Sequence, residues 1–519
     1  MYKSTRQSMA WLHSWLGLSF GWLVFAIFLT GSATYYRDEI SLWMQPELAN
    51  QQVEQTLAIQ SAYDYLQQHA PDAKTWYIGI ATVHSPVNKI YWQKQDGAYE
   101  SKTLHPSTGK EMNLSATQGG DFFYRFHYQL YGFPALIGRL IVTIAAFMML
   151  ITLISGIITH KKIFTDFFTL RVFKGQRSYL DYHNVSSVIA LPFFLTITFT
   201  GLAIFFYIVL PSGMKKLYPE NPFQYFEDIR MVSTPYDADK AISTHMQPIN
   251  KFIETTQQHW GKSEFDNIIL KHPNTQFSEI TITQRKDQSI TRHQAQMVFN
   301  GSTADILSSN RNSSTIATLN AGIYGLHMAK FAEPLLRMAL FFSGILGCSM
   351  IASGLLLWSL KRQLQRKSES FHFGHYVVNR LNVSVIVGLP IAMLAYLYAN
   401  RLFVMPLGSV NYEIYSFFAV WLMSLLIACI TPKYYLWATQ LKIFIGLAFC
   451  LPILNLYILL KKYDISSLSE YWVFLRLDLM VWLFALLALF LHQNIFPIQK
   501  KAVKKIKLKL DAINEGSST

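Results

Sequence analysis

The sequence predicts a polytopic α-helical membrane protein with about eight transmembrane helices and two α+β domains inserted between them. Composition, the length of the apolar runs and an internal duplication support this prediction. Of the 519 residues, 51% are hydrophobic and only 15% are charged, and the mean hydropathy is +0.21. A helix needs about 20 apolar residues to cross the hydrocarbon core. Eight stretches approach or exceed this length, at about 9–35, 133–159, 185–210, 334–360, 377–399, 412–430, 443–460 and 471–491.

The distribution of lysine and arginine predicts the orientation, because these residues accumulate in the cytoplasmic connections of membrane proteins. With the N-terminus in the cytoplasm, five of them lie between Lys161 and Arg177 and five between Lys361 and Arg380. Six more lie in the tail from Lys500 to Lys509. Both termini are therefore expected inside. The net charge of +14 then indicates contact with lipid head groups rather than nucleic-acid binding.

Two long polar segments interrupt the spans, at about 37–121 and 212–322. The proposed orientation places both in the periplasm. Each shows the same order of a helical stretch, strand-like runs and a turn, so each is predicted to form a small α+β domain. Neither contains a recognisable metal-binding or nucleophilic constellation.

The helices around these segments form a duplicated unit. His13 is followed seventeen residues later by Thr30-Gly31, and His183 is followed at the same distance by Thr200-Gly201. At ~1.5 Å per residue, each histidine lies about 25 Å from its Thr-Gly pair, near the opposite membrane face. The next span of each unit repeats a second pattern, which reads His127, Pro134, Arg139, Ser155-Gly156 in the first copy and His327, Pro334, Arg337, Ser353-Gly354 in the second.

A weaker third copy opens the C-terminal block. The segment from Leu381 to Pro390 is similar to the segment from His183 to Pro192, and Leu381 stands where the histidine would be. The last four helices are therefore expected to share an origin with the duplicated unit and to lack its ligand.

The duplicated unit and its two inserted segments contain six recognisable motifs: Arg6-Gln-Ser-Met-Ala-Trp-Leu-His13, Phe28-Leu-Thr-Gly-Ser32, Ser155-Gly-Ile-Ile-Thr-His-Lys-Lys-Ile-Phe164, Leu180-Asp-Tyr-His-Asn184, Pro106-Ser-Thr-Gly109 and Asn300-Gly-Ser-Thr303. Through these motifs the duplicated unit resembles the PepSY-associated transmembrane helix family of bacteria, which includes iron-regulated membrane proteins and periplasmic ferric-siderophore reductases. The resemblance covers about residues 1–362 and implies that the two inserted domains are PepSY-like.

The histidines at the membrane borders are candidate ligands of two b-type haems. The three cysteines form no C-x-x-C-H attachment motif, so any haem must be bound non-covalently. Two axial ligands on opposite sides of the macrocycle require two facing helices. His127 with His327 are predicted to hold the periplasmic haem and His13 with His183 the cytoplasmic one, while His160 competes for the cytoplasmic position. Hydrogen bonding of interfacial histidines to lipid head groups is the alternative.

Arg139 and Arg337 lie inside their spans, where an arginine without a partner is unfavourable. They are predicted to pair with haem propionates, and snorkelling or a bond to a neighbouring helix is the equal alternative. No Gly-x-Gly-x-x-Gly after a strand and no P-loop occurs. Electrons are therefore expected from a cytoplasmic partner, either a flavoprotein or a quinol.

The combined hypothesis is a dihaem reductase of the bacterial inner membrane that passes electrons to a periplasmic acceptor. The resemblance implies ferric siderophore iron as that acceptor. Two alternatives are a non-redox scaffold that regulates a periplasmic partner and a transporter built on the C-terminal helices. The predicted organisation is 1–36, first span; 37–121, first domain; 122–160, second span; 161–182, loop; 183–210, third span; 211–322, second domain; 323–362, fourth span; 363–376, loop; 377–497, C-terminal block; and 498–519, basic tail.

Overall fold

The computed structural model describes most of the chain and divides it into two compact units. The membrane unit comprises 1–46, 115–198 and 338–519, and the sheet unit comprises 47–114 and 199–337. The described residues are 4–48, 53–83, 85–160, 171, 176–209, 211–220, 242–261, 263–285, 290–291, 294–309, 315–364, 371–403, 411–463 and 471–494.

The chain contains helices long and apolar enough to cross a membrane. Seven qualify among the described residues, and an eighth is added if one bent pair counts as a single span. The first repeat contributes α1 (Thr5–Ala33), α2 (Arg37–Met44), α4 (Asp121–Gln129) and α5 (Ala135–Thr159). The second contributes α6 (Gln176–Ile189), α7 (Leu191–Ile204), α8 (Phe206–Val209), α9 (Pro211–Leu217), α11 (Thr315–Met328) and α12 (Pro334–Leu364).

The C-terminal block continues with α13 (Phe373–Ile386), α14 (Gly388–Leu402), α15 (Asn411–Ile430) and α16 (Leu436–Lys462), and then α17 (Tyr471–Asn494). The bent pair is α6 and α7, which meet at 67°. Helices α13 and α14 break at the corresponding place, just before Gly388. The shared break agrees with the weak third repeat.

Hydroxyl groups inside the apolar helices bond to their own backbone. Thr30 donates to the Ala26 carbonyl and Ser32 to the Phe28 carbonyl, each at 2.7 Å. Because the hydrocarbon core contains no water to satisfy them, such i−4 bonds allow hydroxyls to be buried there. Ser4 caps the start of α1 by accepting a bond from the Gln7 amide.

The two inserted segments build one continuous antiparallel sheet. The first provides β1 (Thr75–Gly79), β2 (Asn88–Gln93) and β3 (Tyr99–Leu104). The second provides β4 (Phe265–Lys271), β5 (Glu279–Gln284), β6 (Gln296–Asn300) and β7 (Ile306–Ser308). The strand order is β3-β2-β1-β4-β5-β6-β7. Strands β1 and β4 join the two halves, with Tyr77 opposite Ile269.

Both segments also contribute to one hydrophobic core under this sheet. Helices α3 (Gln55–His69) and α10 (Ile249–Trp260) bury one apolar face each, at helical spacing. Trp76 and Ile90 from the first segment share the core with Phe252, Ile268 and Ile282 from the second. The inserted segments therefore form one sheet and one core together, which their separate positions in the chain do not reveal.

These features confirm the predicted fold class of a polytopic helical membrane protein with β-sheet domains between its helices. The predicted domain limits stay a prediction. The predicted orientation rests on the lysines and arginines of three segments, which are the loop at 161–182, the loop at 363–376 and the tail at 498–519. The first two lie partly outside the described residues and the tail lies wholly outside them, so the orientation stays a prediction.

Candidate functional site

Two of the predicted ligands, His13 and His183, come together in the membrane unit. Their ring centres are 6.1 Å apart, and their ring planes make an angle of 68°. His13 lies on α1 and His183 on α6, at matching positions of the two repeats. The structure thus brings the two histidines together as the repeat predicted.

Each of these rings is oriented by a backbone carbonyl. Nδ1 of His13 is 2.9 Å from the Thr152 carbonyl oxygen, and Nδ1 of His183 is 2.9 Å from the Met350 carbonyl oxygen. Thr152 and Met350 lie three residues before the repeated Ser-Gly pairs, so the two bonds are equivalent. A bond at Nδ1 fixes the tautomer and leaves Nε2 as the nitrogen for coordination.

A cavity of about 380 Å³ lies beside the pair, and we call it the histidine cavity. Its walls repeat with the sequence. Ala10, His13, Ser14 and Gly17 from α1 correspond to Leu180, His183, Asn184 and Ser187 from α6. His160 also lines the cavity, four residues after Gly156, and the residue four after Gly354 is Trp358. His160 is therefore close enough to compete as a ligand, but it has no histidine counterpart in the second repeat.

All four repeat-equivalent histidines pack against a glycine. A Cβ atom added at Gly156 would lie 3.1 Å from His13, and one added at Gly354 would lie 3.0 Å from His183. A Cβ at Gly31 would lie 2.6 Å from His127, and one at Gly201 would lie 2.9 Å from His327. The Thr-Gly and Ser-Gly pairs of the repeat therefore mark where imidazole rings pack on helix backbones, a role that the sequence interpretation missed.

His127 and His327 are oriented in similar ways within their own units. Nδ1 of His127 is 2.8 Å from the Ile27 carbonyl oxygen, and Nδ1 of His327 is 3.0 Å from the Thr200 hydroxyl oxygen. His127 belongs to the membrane unit and His327 to the sheet unit. Their pairing with each other stays a prediction.

A comparison with protein-family models gives a match that spans both copies of the helical repeat. Residues 10–361 match the model of the PepSY-associated TM region. The chain belongs to this family. The match ends at Lys361, so the C-terminal block lies beyond the PepSY-associated region. No curated protein matches the chain.

Within the PepSY-associated region, Arg139 packs against the helix that carries His127. Its Nη2 atom donates to the Gln129 amide oxygen at 3.4 Å, and its guanidinium carbon lies 5.5 Å from the centre of the Tyr128 ring. Its Nε atom is buried without a partner among the described residues. Arg337 lies in the first turn of α12, where its amide donates to the Glu333 carbonyl. Their pairing with propionates stays a prediction.

Two cations, one at the last matched residue and one just beyond it, were not singled out as site residues from the sequence. Lys361 and Arg362 line the histidine cavity at the C-terminal end of α12. Arg362 lies over the rings of Trp15 and Trp358, at 5.7 and 5.4 Å from their centres. Helical spacing could have revealed these residues, since positions 361 and 362 follow Gly354 by about two turns. They had been assigned only to the cytoplasmic charge bias.

No group of three or more His, Cys, Asp or Glu side chains that could hold a metal ion occurs in the described part of the chain. Two exposed histidines of the sheet unit make local contacts. Nδ1 of His69 bonds to the Tyr65 carbonyl and Nδ1 of His259 to the Thr255 carbonyl, each four residues back on the same helix. Burial lowers the pKa of His272, which follows β4.

Proposed function

We propose that the protein is a dihaem b-type electron-transfer protein of the bacterial inner membrane, with both termini in the cytoplasm. It would take electrons from a cytoplasmic flavoprotein or a quinol and reduce a periplasmic acceptor. Family membership supports ferric siderophore iron as that acceptor, through the reductases that the sequence resembles. The observation that carries the proposal is the geometry of His13 and His183.

The spacing of these two rings fits the axial ligands of one iron. A metal–nitrogen bond of an imidazole is about 2 Å long, and the ring centre lies about 1 Å behind the nitrogen. Two imidazoles on opposite sides of one iron therefore hold their centres roughly 6 Å apart, which agrees with the 6.1 Å between His13 and His183. The angle between the ring planes imposes no restriction, because each ring can rotate about its metal–nitrogen bond.

The surroundings of the pair suit the same cofactor. Gly156 and Gly354 leave the space that the two rings occupy, and most of the cavity wall is apolar. Lys361 and Arg362 line the cavity and offer the positive charge that haem propionates require. These residues would bind and orient the haem at the predicted cytoplasmic side.

At the predicted periplasmic side, His127 and His327 would hold the second haem. The unpartnered Nε atom of Arg139 offers a donor for a propionate near His127. When bound, the two haems would supply the one-electron carriers, while the protein supplies ligands, spacing and exclusion of water. The histidine ligands fix where each carrier lies across the bilayer.

Optical spectra of the purified full-length protein test this function. We expect b-type absorbance bands, in oxidised and dithionite-reduced samples, at about two haems per chain. His13→Ala and His183→Ala should each remove the same half of this absorbance. His259→Ala is the matched control, because His259 lies on an exposed helix surface with a local bond. A colourless preparation that stays colourless after haem reconstitution would refute the proposal and favour the non-redox scaffold.

A further inference from the structure

Three of the buried charged side chains in the C-terminal block belong to one hydrogen-bond network that the electron-transfer proposal does not use. Arg401 on α14, Glu413 on α15 and Asp478 on α17 are 7%, 5% and 1% exposed. All three lie beyond the PepSY-associated region, which ends at residue 361. A buried ionisable residue in a membrane helix is unfavourable and for that reason is usually functional.

Two asparagine side chains connect the arginine to the two acids. Arg401 donates from Nε to Asn455 Oδ1 at 2.7 Å, and Asn455 Nδ2 donates to Asp478 Oδ2 at 2.9 Å. Arg401 also donates from Nη1 to Asn400 Oδ1 at 2.6 Å, and Asn400 Nδ2 donates to Glu413 Oε1 at 2.7 Å. Because a guanidinium can only donate, each amide must turn its oxygen to Arg401 and its NH₂ to a carboxyl group.

The charges of this network do not balance. A single guanidinium lies between two carboxyl groups, and Arg401 also donates to the carbonyl of Trp43, whose ring centre is 3.8 Å from the guanidinium carbon. With both acids ionised, the network would carry one uncompensated negative charge in a medium of low dielectric constant. Binding one proton removes that charge.

Each carboxyl group of the network contacts both N–H donors and a hydroxyl. Asp478 receives N–H bonds from Trp43 Nε1 at 3.0 Å and from Asn455, and the Tyr471 hydroxyl lies 3.0 Å from its Oδ2. Glu413 receives N–H bonds from Asn400 and from the Gln118 backbone, and the Thr117 hydroxyl lies 2.7 Å from its Oε2. Because a hydroxyl can accept as well as donate, access to water distinguishes the two acids.

Water has access to the Glu413 side of the network. A small cavity of about 30 Å³ is lined by Glu413, Asn400 and Arg401, and this volume is sufficient for a water molecule. Lys462 and Tyr463 also line it, but Lys462 is exposed to solvent, which screens its charge. Asp478 is not among the described residues that line this cavity. The Tyr396 hydroxyl also contacts Glu413.

We propose that Glu413 is a proton-exchange site of the C-terminal block. A proton passes from water in the small cavity to Oε2 of Glu413, and the Thr117 hydroxyl changes from donor to acceptor. Arg401 and Asp478 remain as the balanced ion pair of the network. On release, the proton returns to water and Thr117 donates again. This site is independent of the histidine cavity and of any haem.

Infrared difference spectra of the full-length protein in lipid, between alkaline and acidic buffer, test the proposal. We expect a carboxylic-acid band on acidification that shifts when glutamate carboxyls carry heavy carbon and is missing in Glu413→Gln. Glu413→Gln preserves the shape of the side chain, so the variant should fold. Glu254→Gln, at an exposed sheet-unit position, is the control and should keep the band.

Other results would overturn the assignment. A band that shifts with labelled aspartate instead would place the proton on Asp478. A band unchanged in Glu413→Gln, or no difference between this variant and the wild type at any pH, would show that Glu413 does not exchange a proton. His13→Ala should leave the band unchanged, so failure of the electron-transfer proposal would not affect this test.

Discussion

An imidazole ring that packs against a helix needs space beside the backbone, and four glycines provide it. Gly31, Gly156, Gly201 and Gly354 each lie opposite one of the repeated histidines. A glycine inside a helix is unfavourable by about 1 kcal/mol relative to alanine. Four such glycines at matching positions therefore indicate that the space beside the backbone is needed. The histidine rings occupy that space.

Gly31→Ala should displace His127, because the new Cβ atom would lie 2.6 Å from Nδ1 of that ring. Overpacking of this kind is unfavourable by about 1–3 kcal/mol. We expect a lower thermal unfolding temperature and weaker absorbance of one haem.

Gly446→Ala is the control for this substitution. Gly446 also lies within a membrane helix, and nothing occupies the space within 4 Å of its added Cβ. It should leave both measurements unchanged or raise the unfolding temperature slightly. Equal effects of the two substitutions would contradict the steric role of Gly31.

His160→Ala should leave both haem signals in place. His160 lines the histidine cavity, but its counterpart in the second repeat is Trp358, whereas the rings of His13 and His183 contact each other. Absorbance spectra of His160→Ala and His13→Ala, purified in parallel, provide the comparison. Loss of a haem in His160→Ala alone would show that the cytoplasmic ligands were wrongly paired.

At the scale of elements, the helix breaks were accessible to sequence reasoning. Proline lacks an amide hydrogen and cannot complete the i−4 bond of a helix interior. Pro192 and Pro390 each lie within the first turn after a break, between α6 and α7 and between α13 and α14. The repeated Leu-Pro pair therefore predicts both breaks. It does not predict their angle, which depends on packing against neighbouring helices.

The joining of the two inserted segments into one sheet could not be predicted in the same way. Strand alternation shows which side chains face a core, but not which strand becomes the neighbour. Strands β1 and β4 are separated by nearly two hundred residues, including several membrane helices. The pairing of Tyr77 with Ile269 therefore required the structure.

A disulfide tests this pairing directly. Tyr77→Cys with Ile269→Cys should form a cross-link, because opposed residues of antiparallel strands place their Cβ atoms about 4.5–5.5 Å apart, near the range of a disulfide. The background replaces the free cysteines Cys348, Cys429 and Cys450 with alanine. Mass spectrometry of the digested, oxidised protein measures the link.

Tyr91→Cys with Ile269→Cys provides the control for the cross-link. Tyr91 lies on β2, so β1 separates it from β4 and the two positions are about 10 Å apart. This pair should remain reduced. Equal cross-linking of both pairs would contradict the strand order at the centre of the sheet.

For the whole molecule, eight spans would place both ends of the chain on the same side of the membrane. The eighth span is the bent pair α6 and α7, which therefore decides the count. Reporter fusions after Gly120 and Ser302 should behave as periplasmic, and fusions after Phe173 and Thr519 as cytoplasmic, in agreement with the lysine and arginine bias. A periplasmic signal at Thr519 would mean that α6 and α7 do not cross as one span.

The two proposed haem sites make a further prediction about the whole molecule, because losses within a shared site should not add while losses at separate sites should. His13→Ala with His183→Ala should lose no more haem than either single variant, since each alone removes one of the paired ligands. His127→Ala and His327→Ala should behave likewise at the other site. His13→Ala with His127→Ala should instead lose both haems and abolish reduction of an external ferric chelate. Haem content and reduction rate of the four single and three double variants measure this pattern. If the His127 and His327 losses add to one another, these two histidines do not share a haem, and the repeat symmetry that paired them does not extend to the periplasmic side.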